Sequence, residues 1–186
     1  MLQIDFHTFP ELTTSRLQLR QMTSDDAEEF YFLRSNDVVM KYFDIPKLPS
    51  VGAALLLIEK ITAIIHNNEG ISWGISLKDD PKLIGTIIYR EIDKDHHRAE
   101  VGYSLHPDHW RKGIIQEALT AVLDYGFTVL KFHSIEASVN PENIASIKLL
   151  EKNKFVREAY YKENYFFNGK FLDTAVYSLL APNTES

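Results

Sequence analysis

The stretch from Arg98 to Val139 constrains the fold more than any other part of the chain. Arg98 to Leu105 reads as a strand, and His106-Pro107 ends it, because proline has no N–H to give to a ladder. After a short loop, Ile115, Ala118, Leu119, Val122, Val129 and Leu130 line one face of a long helix, with Gly126 among them. His133 to Val139 then reads as a buried strand. Two strands joined through a helix run parallel, since the crossover returns the chain to the same end of the sheet.

The rest of the chain supplies antiparallel neighbours. Leu17 and Leu19 alternate with Gln18 and Arg20 as a first strand, and Thr23-Ser24-Asp25-Asp26 starts a helix that runs to about Ser35. A short helical piece covers Asn36 to Tyr42, and Asp44 to Pro49 is a proline-punctuated loop. Ser50 caps a helix whose apolar positions are Val51, Ala54, Leu55, Ile58, Ile61 and Ile65; Asn67, Asn68 and Gly70 stop it. Ile71 to Leu77, Leu83 to Ile92 and Arg98 to Leu105 form a meander. Asn140-Pro141-Glu142-Asn143 opens a helix through about Asn153, and Phe155 to Lys162 with Phe171 to Leu180 form a closing hairpin through Asn168-Gly169. The expected class is α/β (α+β), a mixed sheet with one parallel pair.

At 186 residues and 45% hydrophobic content, one domain with a full core is expected over residues 1–186. The net charge of −6 argues against a nucleic-acid backbone binder. With no cysteine, the chain has no thiolate nucleophile, disulfide or thiolate-bound metal. The first ten residues show no basic region followed by an apolar run. The longest apolar run, Val51 to Ile58, falls short of the ~20 residues a membrane span needs. The expectation is a cytoplasmic protein with no membrane partner.

The chemistry concentrates between Glu100 and Ala118. A strand there enters a loop with Trp110, Arg111, Lys112 and Gly113, then a helix beginning at Ile114 and Ile115. The free amides of a helix N-terminus attract anions, two cations strengthen the attraction, and glycine admits close approach. The arrangement suits a pyrophosphate, although neither G-x-x-x-x-G-K nor G-x-G-x-x-G occurs. An ordinary strand-to-helix turn with solvated basic residues is the plain alternative.

Glu100-Val101-Gly102-Tyr103, Pro107 to Ala118, Asn143-Ile144-Ala145-Ser146 and Leu149-Leu150-Glu151-Lys152 with Phe155 occur in an order that resembles the GNAT acetyltransferases, especially their RimJ/RimL-like branch. Asn168 to Asp173 adds a weaker match, and the likeness spans about residues 15–180. Arg111, Ile115 and Lys154 depart from it, standing where that family has glycine, alanine or glycine, and glycine. The resemblance implies a seven-stranded, mostly antiparallel sheet with helices on both faces and a splayed central parallel pair. It implies acetyl-CoA as co-substrate and no metal. Pantetheine would lie in the splay against Tyr103, Ser104 and Leu105. Pyrophosphate would lie on amides from Arg111 to Ile115 beside Trp110. Asn143 and Ser146 would flank the thioester, Lys152 would reach the nucleotide end, and a backbone amide near Tyr103 would meet the carbonyl oxygen.

Acetyl transfer to an ammonium group requires that a proton be removed first. Glu100 is the candidate base, directly or through water; it faces away from the side of Val101, Tyr103 and Leu105. A surface carboxylate paired with Arg98 is its bland alternative. Ser146 is the candidate donor to the departing thiolate, with a small packing residue as alternative; Asn143, three residues earlier, shares its helix face and equally suits a cap. Trp73, Tyr160, Tyr161, Tyr165, Phe166 and Phe167 are candidates for walling an acceptor cleft or for packing. His96-His97 and His106 to His109 have no metal-ligand spacing. The expected activity is N-acetyl transfer to a primary amine, either a protein N-terminus or a small molecule, by direct attack in a ternary complex. A homodimer is compatible with it. A catalytically inactive acyl-CoA-binding regulatory module is the alternative from another class, and a phosphotransferase lacks its phosphate loop and metal carboxylates.

Overall fold

The computed structural model describes residues 1–182. Its strands are β1 (Leu12–Thr13), β2 (Leu17–Arg20), β3 (Ile71–Leu77), β4 (Asp80–Asp93), β5 (Arg98–Leu105), β6 (Ser134–Val139), β7 (Val156–Phe167) and β8 (Lys170–Leu180). Its α-helices are α1 (Ala27–Ser35), α2 (Val51–His66), α3 (Ile114–Thr128) and α4 (Ile144–Lys152). One sheet takes the order β1-β2-β3-β4-β5-β6-β8-β7. Every pair is antiparallel except β5 with β6. The mixed class is as the sequence indicated. The sheet has eight strands rather than seven, because Leu12 and Thr13 pair with Leu19 and Gln18.

Side-chain alternation sends the two faces of the sheet to different helices. Trp73, Ile87, Tyr89 and Val101 are buried against α3, where Ala118, Leu119 and Val122 are fully enclosed. Tyr89 Oη donates to Val122 O at 2.8 Å, which pins α3 to the sheet. A Cβ at Gly126 would collide with that hydroxyl, so the helix needs glycine there to pack this closely. The opposite face carries α1 and α2, whose Phe30, Leu33, Ala54 and Ile58 share a second apolar cluster with Met22 and Leu83.

Several local expectations shift. The helix after Thr23 begins as a 3-10 turn over Ser24–Asp26, with Asp26 Oδ2 accepting Thr23 N at 2.8 Å. Ser50 does cap α2, accepting Ala53 N at 3.2 Å. In α3 the inward residue is Ile114 rather than Ile115, and Val129 lies past the helix and is exposed. The helix expected from Asn140 starts at Ile144, because Asn143 caps it.

Candidate active site

β5 and β6 separate early. Their register runs Arg98↔Ser134, Ala99↔Ile135, Glu100↔Glu136 and stops there, although β5 continues to Leu105 and β6 to Val139. Beyond Glu100 the two facing backbone edges have no ladder with each other, which leaves main-chain groups free for a ligand. A cleft of about 900 Å³ opens at this fork. It is lined from α1 by Phe30 and Arg34, from β5 by Glu100 to Ser104, from β6 by Ala137 to Val139, and from α4 by Ser146 with its cap Asn143.

Glu100 stands at the fork and is buried. Its Oε1 accepts from Arg90 Nη2 at 2.7 Å and from Ser138 N at 3.3 Å, across the separation. Arg90 lies directly opposite Glu100 in the β4–β5 register, so the pairing is a cross-strand one. The expected partner Arg98 instead reaches Asp93 and Glu136. Oε2 of Glu100 has no partner among the described residues. Two donors therefore hold one oxygen and leave the other for the cleft.

On the far face of β5, Tyr103 Oη and Ser146 Oγ lie 2.7 Å apart. Burial pushes the Tyr103 hydroxyl up to about 12, against the opposing pull of the Ser146 bond, so it stays protonated at neutral pH. Asn143 Oδ1 accepts Ser146 N at 3.2 Å, and the capping alternative for Asn143 thus holds. Ser104 Oγ lies 2.9 Å from Thr86 Oγ1 in a buried pair on the Glu100 face.

The basic turn lies outside the lining of the cleft, as do Leu105 and Lys152. Arg111, Lys112 and Gly113 are exposed, and among the described residues no side chain caps α3, whose first residues follow Gly113 in a left-handed conformation at φ 75°. Trp110 Nε1 donates to Leu105 O at 2.9 Å and ties the turn to the end of β5. Arg16 Nη1 donates to Lys112 O at 3.0 Å, while its Nε donates to Glu117 Oε2 at 2.7 Å. The turn is therefore braced from the β1–β2 side and open toward solvent. That combination fits a diphosphate held by main-chain donors. Lys152 is exposed on the last turn of α4.

Of the aromatic candidates, Tyr165 alone lines the cleft, and its Oη donates to Asp44 O at 2.8 Å. Trp73 is core, with Nε1 donating to Pro10 O. Tyr160, Tyr161 and Phe166 lie exposed on the hairpin. His106 stacks on Phe32 with ring centroids 4.4 Å apart. No group of three metal-ligating side chains occurs among the described residues. Sequence reasoning passed over Arg90, Ser138 and Arg34, whose places depend on register and helix packing and leave no local motif. It named Tyr103 but not the bond its hydroxyl makes.

Comparison with known proteins bears on this arrangement. The family description "Acetyltransferase (GNAT) domain" matches residues 16–156. The uncharacterized N-acetyltransferase YoaA of Bacillus subtilis (strain 168) is 40% identical over 174 residues, covering 94% of this chain and 98% of its own. Among solved structures, spermidine N-acetyltransferase from Vibrio cholerae, in complex with CoA and spermine, is 29% identical. It superposes with a TM-score of 0.80 over 90% of this chain and 97% of that one. Ribosomal-protein-S5-alanine acetyltransferase from Vibrio fischeri is 25% identical, with a TM-score of 0.82 over 95% and 100%.

Proposed function

The chain belongs to the GNAT acetyltransferase family, and on that premise we propose that it transfers acetyl from acetyl-CoA to a primary amine by direct attack in a ternary complex. Residues 1–186 act in this as one catalytic domain, with a core of about 15–180. Acetyl-CoA supplies an activated acyl carbon on a good leaving group. The chain's residues do the rest. Tyr103, Ser104 and Leu105 offer the free edge of β5 to the pantetheine arm, and the exposed amides from Arg111 to Ile115 hold the diphosphate beside Trp110 and Lys112.

The observation that carries the reading is the fork itself. Glu100 Oε2 opens on one face of β5, and the Tyr103–Ser146 hydroxyl pair lies on the other. Glu100 Oε2 takes the proton from the incoming ammonium, directly or through one water. Arg90 and Ser138 N–H keep the carboxylate aimed by occupying Oε1. As nitrogen bonds to the acyl carbon and the C–S bond breaks, Ser146 Oγ–H donates to sulfur. Tyr103 Oη–H, held neutral, hydrogen-bonds Ser146 and keeps its hydroxyl in place. The second proton that nitrogen sheds after attack passes through solvent to restore Ser146, and the proton on Glu100 leaves to solvent. The complete lack of cysteine agrees with direct transfer.

The acceptor is a primary amine; similar proteins named for spermidine and for a ribosomal-protein alanine mark the range. Glu100→Gln tests the reading. It should lower kcat by about 100-fold or more while leaving affinity for coenzyme A within about twofold. Unchanged turnover would remove Glu100 from the mechanism. Tight coenzyme A binding with no amine-dependent thiol release from the wild type would make the chain a binding module instead.

A further inference from the structure

One cation in the cleft has no part in the proposed chemistry. Arg34 stands in the last turn of α1 and lines the cleft with Glu100. Its Nε is shut off from solvent and has no hydrogen-bond partner among the described residues. The described arginine ion pairs use Arg16, Arg20, Arg90 and Arg98, and none uses Arg34. Burial pulls its guanidinium below the ordinary value, yet an arginine keeps its charge at physiological pH. The residue as a whole is only partly buried, so the guanidinium is shielded at Nε and reachable at its other nitrogens, where an acceptor would offset the cost of the shielding. Asp44 lines the same cleft. Its carboxyl is pushed up by burial, and Tyr165 engages its main-chain carbonyl rather than its carboxylate.

We propose that the acceptor is an amine that also carries a carboxylate, and that Arg34 seats the carboxylate while the amine faces Glu100. The inference rests on the amine-acetyltransferase reading above. A planar carboxylate matches the guanidinium fork and gives it charge-assisted acceptors. The other charged residues of the lining are Arg90 and the acidic Asp44, Glu69, Glu91 and Glu100, a balance that disfavours a phosphate dianion more than a single carboxylate. A purely cationic acceptor would leave Arg34 unpaired and set like charge against it.

Two matched pairs of amines test this: lysine against cadaverine, and β-alanine against propylamine. Within each pair the amine is primary and the carboxylate is the difference. Thiol release from acetyl-CoA gives kcat/KM for each, and coenzyme A affinity with thermal unfolding reports the state of each variant. The carboxylated member should be preferred by about 30-fold or more in the wild type. Arg34→Gln should collapse that ratio toward one, and Arg34→Lys should retain part of it; Arg34→Lys carries the comparison if Arg34→Gln fails to fold. Cadaverine and propylamine matching their partners in the wild type would overturn the inference alone. So would an equal loss on both members of a pair in a folded variant. Coenzyme A binding with thiol release from spermidine or an alanine-initiated peptide but from none of the four amines would overturn this inference and leave the transferase reading standing, whereas no release from any of these acceptors would overturn both.

Discussion

Arg111 and Lys154 hold left-handed backbone angles, φ 60° and 70°, where a Cβ is crowded by the main chain. These are two of the three positions at which the chain departs from the glycine or alanine of the family it resembles, and the angle gives the physical reason glycine suits them. Both side chains are exposed, so little packing compensates. Lys154→Gly should raise stability by about 0.5–1 kcal/mol in urea unfolding, the relief of strain less the added freedom of the unfolded chain. Arg111→Gly should gain a similar amount yet weaken coenzyme A binding severalfold by titration, because its guanidinium stands beside the proposed diphosphate site. Equal affinity in that variant would take Arg111 out of the site. Glu100 was legible as a strand carboxylate pointing away from Tyr103. Its partner was not, since Arg90 meets it only through the β4–β5 register.

At the scale of elements, the N-terminus of α3 depends on a brace supplied from β1 and β2. Glu117, in the first turn of α3, accepts from Thr14 Oγ1, Ser15 Oγ, Arg16 N and Arg16 Nε. Burial by itself would raise its carboxyl, but these donors outweigh it and pull the group down to about 2. A carboxyl depressed in the folded state adds stability above its ordinary value of 4.5, and that stability is lost as pH falls toward 2. Glu117→Gln should therefore cost about 2 kcal/mol at pH 7, and the gap from wild type should narrow as unfolding is followed from pH 4.5 downward. A gap independent of pH would mean the brace works by packing rather than charge. The Glu117 residue was visible in sequence as an acidic group in a first turn. The brace was not, because Thr14 and Glu117 are 103 positions apart.

For the whole molecule, the sheet is continuous except where β5 leaves β6, so a ligand entering there completes the structure rather than decorating it. Acetyl-CoA at about 100 times its Kd should add about 2.7 kcal/mol to unfolding and raise Tm by about 5–10 °C. Arg111→Gly should shrink that shift at fixed ligand concentration. No shift in the wild type would remove the fork as the acetyl-CoA site.

The sequence by itself determined the elements that rest on local patterns. β3 and β5 run from Ile71 to Leu77 and from Arg98 to Leu105, as their composition and bounding turns indicate. Asn168 and Gly169 take the positive φ values, 47° and 79°, that a two-residue hairpin turn demands. The parallel pair followed from the helical crossover between β5 and β6. Only the tertiary structure decided what lies across from what. The two-residue β1 has too little pattern to read and exists because β2 offers it an edge. Ser138 N reaches Glu100, Tyr103 Oη reaches Ser146, and Arg34 Nε is left without a partner among the described residues, each through strand register and helix docking. Local spacing sets which face a side chain takes within its own element; which neighbour meets that face is set by packing between elements distant in the chain.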